Sequence, residues 1–118
     1  MNIEPELCKV EDALGILIGK WKPIILLQLL KHGTQRFGEL SRHLPGITQR
    51  MLTKQLRELE EEDIIRRVVY PQVPPKVEYS ITEYGKSLEP ILNAMHEWGT
   101  MHTLHKQEKL RNSADSQE

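Results

Sequence analysis

The chain has 118 residues with 16 basic and 17 acidic side chains, for a formal net charge of −1, which is the size of one domain and excludes a large multi-domain enzyme. A hydrophobic share of 38% beside 28% charged residues suits a soluble and rather helical protein, and no apolar run approaches the roughly 20 residues of a membrane span. The single cysteine, Cys8, excludes an intrachain disulfide and a cysteine-based zinc cluster; the acidic start, residues 1–6, has no signal-peptide pattern, so a cytoplasmic setting is expected.

A first helix is predicted over about Lys9 to Ile18, with Val10, Leu14 and Leu17 on one apolar face. Gly19 punctuates it, and Pro23 suits the first turn of a second helix, where its missing N–H would be unpaired anyway. Ile24 to Leu30 is apolar almost all round, as in a helix central to a core, and Lys31-His32-Gly33 supplies basic last-turn residues and a terminal glycine. A short third helix is expected over Phe37 to His43, broken by Pro45-Gly46. Thr48 then caps a fourth helix running to about Glu62, with Met51, Leu52, Leu56 and Leu59 as its buried stripe.

Beyond this point the period changes. Ile64 to Tyr70 is β-branched, and Val77, Tyr79 and Ile81 alternate with Lys76, Glu78 and Ser80. The proline-rich stretch between them lacks backbone donors, so the pair reads as a hairpin with a stiff tip. Thr82 is placed to cap a last helix carrying Leu88, Ile91, Leu92, Met95, Trp98 and Met101, and Pro90 should bend that helix or delay its regular start. The polar tail, residues 111–118, is expected to be disordered. The order of elements makes the fold class α+β, mainly α: a winged helix-turn-helix.

The fourth helix carries the functional signal. Arg50, Thr53, Lys54 and Arg57 fall at i, i+3, i+4 and i+7, sharing a face opposite the leucine stripe, while Glu58, Glu60, Glu61, Glu62 and Asp63 crowd the other end. The helix dipole prefers the reverse order, and a phosphate backbone at the helix N-terminus would compensate for it. The plainer alternative is a solvated helix with ion pairs such as Lys54–Glu58 and Arg57–Glu61. Thr48 and Gln49 sit in the first turn, where a recognition helix meets base edges; Gln49 can pair with adenine and Arg50 with guanine, and the sequence leaves open which side chains read bases and which grip phosphate. Arg36 is a candidate phosphate contact, and Arg66, Arg67 and Lys76 in the hairpin are candidates to flank the neighbouring minor groove.

With those residues in place, the chain resembles the HxlR-type family of bacterial winged-helix regulators, relatives of the MarR group. The resemblance runs from Cys8 to Gly99 and is carried by Gly19-Lys20-Trp21-Lys22, Arg36-Phe37-Gly38-Glu39-Leu40, Leu44-Pro45-Gly46-Ile47-Thr48-Gln49-Arg50-Met51-Leu52 and Leu56-Arg57-Glu58-Leu59-Glu60. It continues through residues 73–82, Gly85, Leu88, Pro90 and Trp98-Gly99. It implies a cytoplasmic bacterial transcription regulator, commonly a repressor, that binds double-stranded DNA at a pseudo-palindromic operator as a homodimer. The first and last helices would form the dimer, with Leu14, Leu17, Leu92, Met95, Trp98 and Met101 as the interface. The implied organisation is one domain over residues 1–110 with dimerisation helices at both ends. Several members sense oxidants or electrophiles through a cysteine near the N-terminus, and Cys8 matches that position, although Lys9 follows it where the family usually has proline. Asp63 stands where the family commonly has glycine.

Rival readings fit less well. No phosphate loop, nucleophile elbow or cysteine–histidine pattern marks an enzyme, and no cofactor is implied. His96, His102 and His105 lack a carboxylate or thiol partner in sequence, so no metal site is expected. The remaining alternatives are a winged-helix module for protein interaction, and a regulator responding to a small molecule without redox sensing.

Overall fold

A computed structural model of the chain describes residues 5–116, with side chains described from Lys9 to Ala114. It forms two units, one ending at Ser87 and the other beginning at Leu88.

In the first unit, α1 (Pro5–Leu17) begins one turn earlier than expected, and α2 (Trp21–His32) follows with Pro23 in its first turn. Ile25, Leu26 and Leu29 of α2 are buried. α2 packs against α1, α3 (Phe37–His43) and α4 (Gln49–Glu61), so the helix that is apolar all round takes the central place. Gly33 ends α2 with φ 75°, a conformation favoured by glycine, and its N–H donates to the Leu29 carbonyl at 2.9 Å.

α4 has the ends its sequence implies. The Thr48 hydroxyl accepts the Met51 N–H at 3.0 Å. At the other end Ile64 N–H donates to the Leu59 carbonyl and Asp63 N–H to the Glu60 carbonyl, both at 3.0 Å, which closes a Schellman turn. Asp63 takes the left-handed position of that turn at φ 61°. Aspartate is one of the few non-glycine residues that visit this region readily, so its replacement of the usual glycine leaves the turn intact. Leu59 and Ile64 are both buried there.

The hairpin pairs β2 (Ile65–Tyr70) with β3 (Lys76–Ile81), from Ile65 opposite Ile81 to Tyr70 opposite Lys76. A third strand joins it: β1 (Gln35–Arg36) pairs antiparallel with β3, placing Gln35 opposite Tyr79 in a sheet of order β1-β3-β2. This strand was not expected, because two residues carry no readable period. Gln35 is buried, and its side chain is satisfied by the Gln28 carbonyl and the His43 ring, each at 3.0 Å.

Thr82 caps a short 3-10 turn (Gly85–Leu88) through the Gly85 N–H at 2.8 Å rather than the last helix directly. α5 (Glu89–Ser116) then starts regularly, with Pro90 in its first turn, where no intrahelical donor is lost. Its 28 residues span about 42 Å at 1.5 Å per residue. The helix continues as far as Ser116, into the segment expected to be disordered from Arg111 onward: once a helix is nucleated, each further residue adds a hydrogen bond at little cost. Among the described residues no single helix is long and apolar enough to cross a membrane.

Candidate nucleic-acid interface

Helical periodicity divides α4 cleanly. Leu52, Leu56 and Leu59 are buried, whereas Gln49, Arg50, Thr53, Lys54 and Arg57 are exposed. Neither ion pair of the plainer alternative, Lys54–Glu58 or Arg57–Glu61, occurs among the described residues. Glu58 turns instead to Lys22 of α2, at 3.3 Å, where the lysine side chain is only 13% exposed. Arg50, Lys54 and Arg57 have no acidic partner among the described residues. The exposed face of α4 therefore presents three cations without an acidic partner among the described residues, and its first turn carries no acid, a field that favours an external anion.

The two threonines contribute less than the cations do. Thr48 accepts the Met51 N–H in its cap and keeps its own O–H free to donate, whereas the Thr53 hydroxyl is spent on the Gln49 carbonyl at 2.9 Å and can only accept. Arg36 is exposed where β1 meets α3, and its N–H donates to Glu39 at 2.9 Å, which fixes the backbone there and leaves the guanidinium outward.

The hairpin separates its basic residues. Adjacent strand residues point to opposite faces, so Arg66 and Arg67 do not act together. Arg67 stands opposite Tyr79, on the face that also carries Ile65 and Ile81, and it lines a cleft of about 350 Å³ with Thr53, Arg57, Glu60 and Tyr79. Arg66 is exposed on the other face, opposite Ser80. Lys76 is less available than its sequence suggests. Its ammonium pairs with Glu78 at 3.5 Å and lies 4.7 Å from the centre of the Tyr70 ring. Glu78, hydrogen-bonded to the Tyr70 hydroxyl and adding its negative charge, holds that phenol above its ordinary value of 10.0.

The residues expected at a subunit interface divide in two. Leu14, Met95, Trp98 and Met101 are exposed at 53%, 46%, 62% and 64%, but Leu17 and Leu92 are already buried within the chain, at 9% and 0%. These two have little area left for a partner. On α5, Ile91, Met95 and Trp98 follow each other at i, i+4 and i+7 along one apolar strip, with Met101 and Leu104 beyond. Two of the three histidines of this helix stack: the His102 ring lies 4.9 Å from Trp98 and 6.2 Å from His105. The side chain of Cys8 lies outside the described residues.

Sequence reasoning missed Lys22 as the partner of Glu58 and Tyr79 as part of the cleft. Lys22 carried no signal, and Tyr79 read as one more apolar position of a strand, although its hydroxyl was a reason to ask what it meets.

A short helix, a Pro-Gly turn, a second helix with a bare basic face and a following β-hairpin define a winged helix-turn-helix. The chain matches the HxlR-like helix-turn-helix family over residues 16–107 and belongs to it; it is a helix-turn-helix transcriptional regulator. An uncharacterized HTH-type transcriptional regulator of Methanothermobacter thermautotrophicus is 52% identical over 107 residues, covering 91% of this chain and 81% of that one. The uncharacterized HTH-type transcriptional regulator YybR of Bacillus subtilis is 56% identical over 100 residues, covering 83% and 79%. Among solved structures, the redox regulator HypR matches with 55% identity and a TM-score of 0.75 in its oxidized form, over 80% of this chain and 96% of that chain. Its reduced form gives 54% identity and a TM-score of 0.77, over 80% and 93%.

Proposed function

We propose that this regulator binds a pseudo-palindromic operator as a homodimer, with α4 of each protomer in a major groove, and that it represses by occupying the promoter. The observation that carries the reading is the trio Arg50, Lys54 and Arg57, exposed on the face opposite the leucine stripe and without an acidic partner among the described residues. A two-fold dimer doubles that face and matches an inverted repeat. Exposed apolar strips, one through Val10 and Leu14 of α1 and Ile18 just past its end and the other on α5, supply area for a partner copy.

Regulation is proposed to run through Cys8, with the likeness to the redox regulator HypR as support. As the chain's single thiol, Cys8 can form a Cys8–Cys8 bridge between protomers, with two electrons and two protons passing to the oxidant, or a mixed disulfide with a small thiol.

The test is affinity for the DNA upstream of the protein's own gene, against a scrambled duplex, at several salt concentrations, with reduced and diamide-treated protein. The expected result is specific, steeply salt-dependent binding that is lost on oxidation and retained in oxidized Cys8→Ser. Arg50→Ala with Lys54→Ala should abolish binding and leave the dimer intact; unchanged binding would remove the central claim. Specific binding indifferent to diamide would replace the oxidant by a small-molecule effector. For that reading the apolar groove of about 730 Å³ along Pro90, Ile91, Ala94, Met95 and Trp98 is the place to look.

A further inference from the structure

The cleft beside α4 contains a polar group that nothing in the fold uses. Tyr79 is 8% exposed, and what it leaves open lines the cleft shared with Thr53, Arg57, Glu60 and Arg67. Its backbone is held on both sides, opposite Gln35 of β1 and Arg67 of β2, so the ring is fixed at the centre of the sheet. No hydrogen-bond partner for its hydroxyl occurs among the described residues. The buried side-chain polar atom left without a partner among the described residues is Gln28 Oε1, so the Tyr79 hydroxyl is open to solvent through the cleft and free to donate outward. Here the hydroxyl stands in a cleft bearing two guanidinium charges against the single carboxylate of Glu60, a net excess of one positive charge.

We propose that this cleft seats one phosphodiester group of the DNA backbone, with the Tyr79 hydroxyl donating to a phosphate oxygen and Arg57 and Arg67 as flanking charges. Arg57 comes from α4 and Arg67 from the wing, so one phosphate would tie the two elements together and set the depth of α4 in the groove. Contacts of this kind fix register without reading sequence, and a neutral donor on a buried ring is a more rigid gauge than a long cation. Glu60 opposes the phosphate and keeps the cleft from holding free anions strongly. The inference rests on the DNA-binding reading above and adds to it a residue, Tyr79, and a position on the backbone.

The experiment uses a scrambled duplex of about 30 base pairs, three helical turns, at low salt, so that backbone contacts are read without knowledge of the operator. Tyr79→Phe removes the hydroxyl and keeps the packed ring. It should weaken binding about tenfold, as for loss of a hydrogen bond to a charged group, with the salt slope unchanged because a neutral donor releases no counterion. Arg67→Gln should instead lower the slope by about one per protomer. Tyr79→Phe binding within twofold of wild type, while wild type binds DNA, overturns the inference and leaves the DNA-binding reading standing. Wild type failing to bind any duplex overturns both. Should Tyr79→Phe lower the melting temperature, Glu60→Gln decides, since a rise in affinity supports the seat and no change overturns it. A Tyr79-dependent rise in melting temperature with inorganic phosphate at constant ionic strength would show a free-anion site and overturn the DNA occupant.

Discussion

The Thr82 hydroxyl donates to the carbonyl of Asp63 at 2.7 Å, joining the end of β3 to the turn that closes α4. The same oxygen lies 3.1 Å from the Ile64 carbonyl and accepts the Gly85 N–H at 2.8 Å, while the Thr82 N–H donates to Ile64 at 3.0 Å. One side chain therefore locks both ends of the wing. Thr82→Val keeps the shape and removes the hydroxyl, leaving polar backbone groups short of a partner, and should lower stability by about 1–3 kcal/mol. Urea unfolding measures this; a midpoint equal to wild type would mean water replaces the hydroxyl without loss.

Gly85 is required by space rather than by backbone angle. A Cβ there would overlap the Ile64 carbonyl oxygen and come within 2.8 Å of Ile81 Cγ1. Neither neighbour can withdraw easily, since the Ile64 carbonyl is held by Thr82. Gly85→Ala should destabilise by about 3 kcal/mol, the upper range for an overpacked site. Thermal melting reads the effect, and a shift of a degree or less would show that the turn after β3 yields.

Trp98 tests the proposed dimer. It is 62% exposed in the middle of the α5 strip, between Met95 and Met101. Trp98→Glu should turn the dimer into a monomer in sedimentation equilibrium and weaken operator binding by more than tenfold, because the two half-sites no longer bind together. A dimer undiminished by that charge would place the interface elsewhere.

Tyr70 offers a pH readout of the wing. Its phenol is held above 10.0, first by the hydrogen bond to Glu78 and then by that carboxylate's charge. A folded-state value above the unfolded one means the contribution to stability is whole below pH 10 and is lost as pH rises through the folded value. Phenolate absorbance, taken as the difference between wild type and Tyr70→Phe, should show this group ionising late. Glu78→Gln should move it back toward 10; no movement would mean the hydroxyl and Glu78 are not paired in solution.

The order of helices, the hairpin and the placement of the basic residues on one face of α4 could be read from the sequence because each is a local property. A helix repeats every 3.6 residues and a strand every two, so the leucine stripe of α4 and the alternation of Val77, Tyr79 and Ile81 report their own geometry. The separation of Arg66 from Arg67 follows from the same alternation. Pairings between distant segments have no period and needed the tertiary structure. β1 exists because β3 presents a free edge to Gln35 and Arg36, and Glu58 prefers Lys22 from α2 to Lys54 one turn away. Leu17 and Leu92 looked like interface residues because an apolar stripe on a helix does not say which of its members stay exposed. Tyr79 makes the same point at the cleft: alternation placed its ring on the inner face, but only the packing of α4 against the wing left its hydroxyl without a partner.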